Sequence, residues 1–246
     1  MAFDDQPASP AESLEARLTS AAPLEIIAAA RAQFGSRLAL VSSFGAESAV
    51  LLHMAAEVDP AITVLFLDTG HLFAQTLDYR QTLARRLGLQ DVRDLRPAFA
   101  DLATEDPAAD LWRTDADACC AIRKVRPLDL ALKGVDAWIT GRKRFQSEGR
   151  SRLRVVEAAE GGRVKINPLA AMNAEDLEAY RTAHDLPSHP LTAAGYPSIG
   201  CWPCTRAVRE GESPRAGRWA GLEKTECGIH RPLPSGGVSD DVGGGI

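Results

Sequence analysis

Two short apolar runs, Leu38-Ala-Leu-Val41 and Ile62-Thr-Val-Leu-Phe-Leu67, limit this chain more than any other feature. Each is followed by a glycine-bearing turn and then by a stretch with helical spacing of its apolar residues. A strand that is apolar on successive positions needs cover on both faces, and a helix after each strand brings the chain back in the same direction. The pattern therefore predicts an α/β fold with a mainly parallel, twisted sheet flanked by helices. Helices are expected over 46–58 and over 72–87, the latter with Leu77, Leu83 and Leu87 inward and Gly88 as its stop. Weaker strands are expected at 92–95 and 137–140, the second after a helix from about Asp117 to Leu132. Leu14, Leu18, Leu24 and Ile27 read as one helix over 11–34, starting near Ser9 or Pro10. Farther on, a hairpin through 153–156 and 164–166 around Gly161-Gly162 precedes a helix from Asn173 to about His184. Beyond Pro187 the periodicity fades. No internal repeat or linker divides the chain, so 1–233 reads as a single domain and 234–246 as a disordered, flexible tail.

The 246 residues suffice for a sizeable core. The start, Met1-Ala-Phe-Asp-Asp, is acidic with no apolar stretch behind it, and no run is long enough to cross a bilayer. A cytoplasmic location without membrane contact is the expectation. The net charge of −5 gives no general reason to expect a nucleic-acid partner. A homo-oligomer is left open.

Ligands of open parallel sheets bind beyond the carboxyl ends of the strands. Ser42-Ser-Phe-Gly-Ala-Glu-Ser48 and Asp68-Thr-Gly70 fall at two such ends. In the first, Gly45 can bring backbone amides close to a phosphate at a helix start, although the Gly-Lys-Ser/Thr ending of a Walker loop is absent. Basic residues recur at Arg123-Lys124, Arg142-Lys-Arg144, Arg150, Arg206, Arg209, Arg215 and Arg218. Such runs are ordinarily solvated faces, but here several follow closely on cysteines, and folding could gather them around an anion.

The chain has five cysteines: Cys119-Cys120, Cys201-x-x-Cys204 and Cys227. In a reducing compartment, two pairs point to metal binding more than to disulfides. Adjacent side chains diverge, which is awkward for a single tetrahedral zinc and natural for a cluster with separate iron corners, so zinc and iron–sulfur both stand on the residues alone. Cys227 is left over in Lys224-Thr-Glu-Cys-Gly-Ile-His230, where Lys224 and a protonated His230 favour a thiolate and Glu226 opposes it.

Taken together, Ser43-Phe-Gly-Ala-Glu-Ser48, Leu67-Asp-Thr-Gly70, Cys119-Cys-Ala-Ile-Arg-Lys124, Gly141-Arg-Lys-Arg-Phe-Gln-Ser147 through Arg150, Gly200-Cys-Trp-Pro-Cys-Thr-Arg206, Pro214-Arg-Ala-Gly-Arg-Trp219 and Lys224-Thr-Glu-Cys-Gly-Ile-His230 resemble the bacterial assimilatory adenylyl-sulfate reductases. These sit in a larger family with the 3'-phosphoadenylyl-sulfate reductases. The resemblance implies an adenine nucleotide alpha hydrolase-like fold with a modified PP-loop. It implies a [4Fe–4S] cluster on Cys119, Cys120, Cys201 and Cys204, and Cys227 as the catalytic nucleophile in the reduction of adenosine 5'-phosphosulfate to sulfite and AMP. Thioredoxin or a similar thiol reductant would discharge a cysteine S-sulfonate, within sulfate assimilation and cysteine biosynthesis. Ser43, Phe44, Gly45, Ala46, Glu47, Leu67, Thr69 and Gly70 would hold the nucleotide. Lys124, Arg144, Arg215 and Arg218 would face the phosphosulfate, with Gly141 and Arg150 completing the substrate set. The cluster is expected to position Lys124 and the arginines rather than to pass electrons. His71 is read as structural. The alternatives are the same chemistry on 3'-phosphoadenylyl sulfate, a tRNA-thiolating enzyme, or a zinc-stabilised binding module.

Overall fold

The computed structural model describes residues 9–221, 224 and 226–230. The chain opens with α1 (Pro10–Leu18) and α2 (Pro23–Phe34), two helices where the sequence suggested one. Pro23 is the reason: it lacks an N–H and disfavours helix in the residue before it, so it can start a helix and not continue one. Ser9 caps α1 in a reciprocal box with Glu12. The remaining order is β1 (Leu38–Ser42), α3 (Ser48–Val58), β2 (Thr63–Leu67), α4 (Ala74–Arg86), β3 (Val92–Leu95), α5 (Phe99–Glu105), α6 (Leu111–Thr114), α7 (Ala116–Cys120), α8 (Arg126–Ala131), β4 (Ala137–Ile139), β5 (Val156–Ala158), β6 (Val164–Ile166) and α9 (Ala174–Ala183). The short α5 and α6 were not expected from the sequence. The hairpin is present, but its first strand begins at Val156, because Arg150 to Leu153 turns on short-range backbone bonds.

The six strands lie in the order β3-β2-β1-β4-β6-β5, and every neighbouring pair is parallel except β5 with β6. Alternate residues go to opposite faces. Leu38, Leu40, Val64, Phe66, Ala137 and Ile139 enter a large core under the flanking helices. Ala39, Val41, Leu65, Leu67 and Trp138 face a smaller one with Leu128 and Leu132 of α8. The expectation of a sheet covered on both sides is met, and the reason is this period of two.

Between α7 and α8 the helix widens into a π turn over Ala121–Val125, with Arg126 N–H bonded to the Ala121 carbonyl. Pro127 explains the local geometry, since it has no N–H for the Arg123 carbonyl and would crowd it in a regular helix. The turn carries Arg123 and Lys124, and it follows directly on Cys119 and Cys120. No helix of the described residues is long and apolar enough to cross a membrane. The proposed tail, 234–246, lies outside the described residues.

Candidate active site

The chain runs from β1 outward to β2 and β3, then returns to the other side of β1 as β4, so the connections leave in opposite directions between β1 and β4. A cavity of about 500 Å³ opens at this switch point. Its sheet-side wall is made by the loops after three strands: Ser43 to Ser48 after β1, Leu67 and Thr69 after β2, and Gly141 to Lys143 after β4. Gly45 is pressed between its neighbours, with a Cβ there 3.4 Å from the Ile199 carbonyl oxygen. Phe44 has a left-handed φ of 47°. Its cost is offset because the ring is fully buried edge-on to Phe66, at 5.3 Å between centroids, and its N–H donates to Ser42 Oγ at 3.1 Å. Phe44 therefore shapes the loop from the core rather than lining the cavity.

The facing wall comes from the irregular C-terminal part: Pro197 to Cys201, Ser213 to Arg215, Arg218 and Trp219, and then Glu226, Cys227 and Ile229. Isolated bridges Leu72–Cys201 and Thr205–Arg218 fasten this wall. Thr69 Oγ1 lies 3.2 Å from Cys201 Sγ, tying the two walls together. Arg218 donates to the Ile199 carbonyl at 3.2 Å and stacks on Trp219 at 4.4 Å. Gly200 makes that possible, since a Cβ there would run into the Arg218 guanidinium. The 197–199 stretch was not singled out in the sequence; Gly200, which opens the Gly200-to-Arg206 motif, is the signal that marks it.

Of the residues expected around substrate, Ser43, Gly45, Ala46, Glu47, Leu67, Thr69, Lys124, Gly141, Arg150, Arg215 and Arg218 all line the cavity, as do Cys201 and Cys227. Gly70 does not line it; its positive φ of 73° turns the β2 loop against Arg123. Nor does Arg144, whose Nε donates to the Leu153 carbonyl at 2.9 Å. Cys119, Cys120 and Cys204 sit behind the wall rather than on it.

Charge in the cavity is partly spent within the chain. Lys143 is buried against Glu47 at 2.5 Å, Arg142 is paired with Glu157, and Arg150 is clasped by Glu226. Arg123, also buried, pairs with Asp106 at 2.5 Å and donates to the Thr69 carbonyl at 2.9 Å. Among the described residues, Lys124 and Arg218 have no carboxylate partner. Burial alone would pull the Lys124 pKa down, but the sulfurs of Cys201, Cys227 and Cys120 outweigh it and hold the amine protonated. Burial lowers that of Arg215 to about 10.

The five thiols surround these cations. Burial pushes Cys119 up to about 11, with further upward contributions from Cys201 and Cys204. Cys227 is held well below the ordinary thiol range, first by a hydrogen bond from the Cys120 thiol and then, against burial, by Lys124 and Arg218. Cys120 is raised correspondingly by the same bond and by burial. Apart from that bond, Lys124, the Ile229 N–H and Arg218 are the groups that favour the Cys227 thiolate.

Sheet and cavity together define an α/β protein with a cavity at a topological switch point, lined by cationic side chains and by the thiols of Cys201 and Cys227. The chain belongs to the phosphoadenosine phosphosulfate reductase domain family, whose sequence model matches residues 37–207. It is 54% identical over 195 residues to an adenosine 5'-phosphosulfate reductase of Chelativorans sp. (strain BNC1), covering 79% of each chain. It is 50% identical over 228 residues to the enzyme of that name from Mesorhizobium japonicum, covering 92% of this chain and 89% of the relative. Among solved structures, the phosphate complex of phosphoadenylyl-sulfate reductase from Candida auris superimposes with a TM-score of 0.67. That pair is 28% identical over 80% of this chain and 96% of the other.

Proposed function

We propose that this chain reduces adenosine 5'-phosphosulfate to sulfite and AMP in sulfate assimilation, with Cys227 as nucleophile. The observation that carries the reading is the placement of Cys227 in the same cavity as Lys124 and Arg218, opposite the glycine loop after β1. The Cys227 thiolate attacks the sulfur of the substrate's sulfonyl group. A sulfur–sulfur bond forms, the bond from sulfur to the bridging oxygen breaks, and AMP leaves with that electron pair. The obstacle is repulsion between thiolate and sulfonate, which Lys124 and Arg218 reduce from the wall of the same cavity. Loops after β1, β2 and β4 orient the nucleotide for that attack. A thiolate of a thioredoxin-type partner then attacks Cys227 Sγ, releasing sulfite and leaving a mixed disulfide that the partner's second thiol resolves. The two electrons come from those thiols.

A [4Fe–4S] cluster on Cys119, Cys120, Cys201 and Cys204 belongs to this reading. Among the described residues no three Cys, His, Asp or Glu groups converge on a single metal ion. A cube takes one thiolate at each of four separate corners and asks for no such convergence. The donor set fits: four thiols, with Thr69 Oγ1 on Cys201 and two cations to balance thiolate charge. When bound, the cluster would supply fixed negative charge beside Lys124 and brace the two walls. The thiol chemistry suits a cytoplasmic enzyme.

Mass spectrometry of the protein after incubation with adenylyl sulfate and no thiol tests the reading. A sulfonate adduct on Cys227 is expected, and an unmodified Cys227 would overturn it. Sulfite release from 3'-phosphoadenylyl sulfate, measured in parallel, decides the second reading, for which the Candida auris reductase is the structural relative.

A further inference from the structure

The segment bearing Cys227 is fastened to the body by ties far apart in sequence. Lys224 donates to the Ala116 carbonyl at 3.2 Å and pairs with Asp117. Lys165 Nζ reaches the Ile229 carbonyl at 3.4 Å, and Ile229 packs on the core beneath α8. Gly228 fits closely over Val125. One tie lies inside the cavity beside the nucleophile. Arg150 Nε and Nη2 donate to the two oxygens of Glu226, each at 2.6 Å, and Ser147 Oγ adds a bond at 3.2 Å.

Arg150 is 8% exposed, and its third nitrogen, Nη1, donates to Gln146 Oε1. All three guanidinium nitrogens thus already serve the chain, two of them bonded to the residue next to Cys227. A two-pronged guanidinium–carboxylate pair fixes orientation as well as distance, and loss of either partner leaves a largely buried charge uncompensated.

We propose that Glu226, held by Arg150 in a two-pronged clasp, is a positioning residue that sets Cys227 in the cavity. The proposal rests on Cys227 being the nucleophile. It accounts for an acidic side chain in a cavity meant for an anion, since the carboxylate removes one cation and holds the thiol beside Lys124 and Arg218.

The full-length enzyme and its Glu226→Gln, Glu226→Asp and Arg150→Lys variants test this through two readouts. In the first, the rate of maleimide labelling at Cys227, followed by peptide mass, should rise about tenfold in Glu226→Gln as the segment undocks. In the second, single-turnover formation of the S-sulfonate from adenylyl sulfate should lose about a hundredfold in maximal rate, with half-saturation within about twofold of the parent. Glu226→Asp should recover most of that rate, and Arg150→Lys should shift both readouts the same way by less. Unchanged labelling, or weaker substrate saturation with the maximal rate intact, would overturn the clasp. If the parent itself forms no S-sulfonate on Cys227, the nucleophile assignment fails, while the labelling rates still decide whether the clasp exists.

Discussion

The two walls of the cavity are built by different means. On the sheet side, three parallel strands end side by side, β4 two residues short of β1, and backbone hydrogen bonds fix the origins of the loops that carry Ser43, Thr69 and Gly141. On the other side there is no sheet. Cys201, Arg218 and Cys227 are placed by two isolated bridges, short 3₁₀ turns and side-chain pairs. One wall is a scaffold that a ligand finds ready, and the other is an arrangement of charges and thiols that hold one another. Changes on the second wall should therefore strike chemistry and leave the fold, whereas changes where the walls join should strike both.

The largest effect is expected at Cys227. Its Sγ is the proposed acceptor of the sulfonyl group, so Cys227→Ser should abolish S-sulfonate formation, by at least about a thousandfold. Adenylyl sulfate binding, measured by calorimetry, should stay within about threefold of the parent, because the residues proposed to hold the nucleotide line the opposite wall. Weakened binding of the same size as the lost rate would mean the walls are not separable.

Asp106 sits where the walls join. It is 4% exposed and bonded to Arg123, which in turn holds the Thr69 carbonyl beside Cys201. Asp106→Ala strands a buried guanidinium and should cost about 3–5 kcal/mol in a denaturant titration. Burial alone would raise the Asp106 pKa, but the bonds from Arg123 and the Leu111 amide outweigh it, and the net shift is downward. Its stabilising effect is therefore full above the ordinary aspartate pKa near about 3.9 and is lost as pH falls through the lower folded value. The parent should show that acid-side decline and the variant should not; identical acid limbs would remove Asp106 from the joint.

These contrasts also explain what the sequence disclosed. Strands such as Leu38–Ser42 were legible because burial on both faces forces an unbroken apolar run, and the glycines at 45 and 70 mark where that run must turn. The break before Pro23 was hidden by apolar spacing that continues across it, and the π turn at Ala121–Val125 by a pattern that reads as ordinary helix up to Pro127. On the thiol wall, cysteines and arginines were visible as residue types, but their pairing was not. Nothing local in Glu226 or Glu47 tells that each takes up a cation from a segment many residues away. Charge pairing is set by the tertiary fold, so the expectation that Arg144, Arg215 and Arg218 face the phosphosulfate could not distinguish Arg218 from Arg144.

Gly200 gives a finer test of the second wall. Its missing side chain is the space that the Arg218 guanidinium fills. Gly200→Ala should displace Arg218 from the cavity without touching the sheet, lowering kcat/KM with adenylyl sulfate by about ten- to a hundredfold while the melting temperature moves little. A large fall in melting temperature with kcat/KM preserved in the folded fraction would place Gly200 in the scaffold instead.

The smallest effect is expected at Thr69, the one residue whose side chain reaches from the sheet wall to a thiol. Thr69 is 1% exposed, and its hydroxyl accepts the His71 N–H at 3.2 Å and lies 3.2 Å from Cys201 Sγ. Thr69→Val keeps the shape and removes both bonds, leaving the His71 amide unsatisfied, which should cost about 1–3 kcal/mol in denaturant midpoint. Thr69→Ser keeps the hydroxyl and should stay within about 0.5–1 kcal/mol of the parent while retaining the Cys201 contact. If Thr69→Ser loses stability and Thr69→Val does not, the methyl group and not the hydroxyl joins the walls, and the sheet side would then hold the thiol side by packing alone.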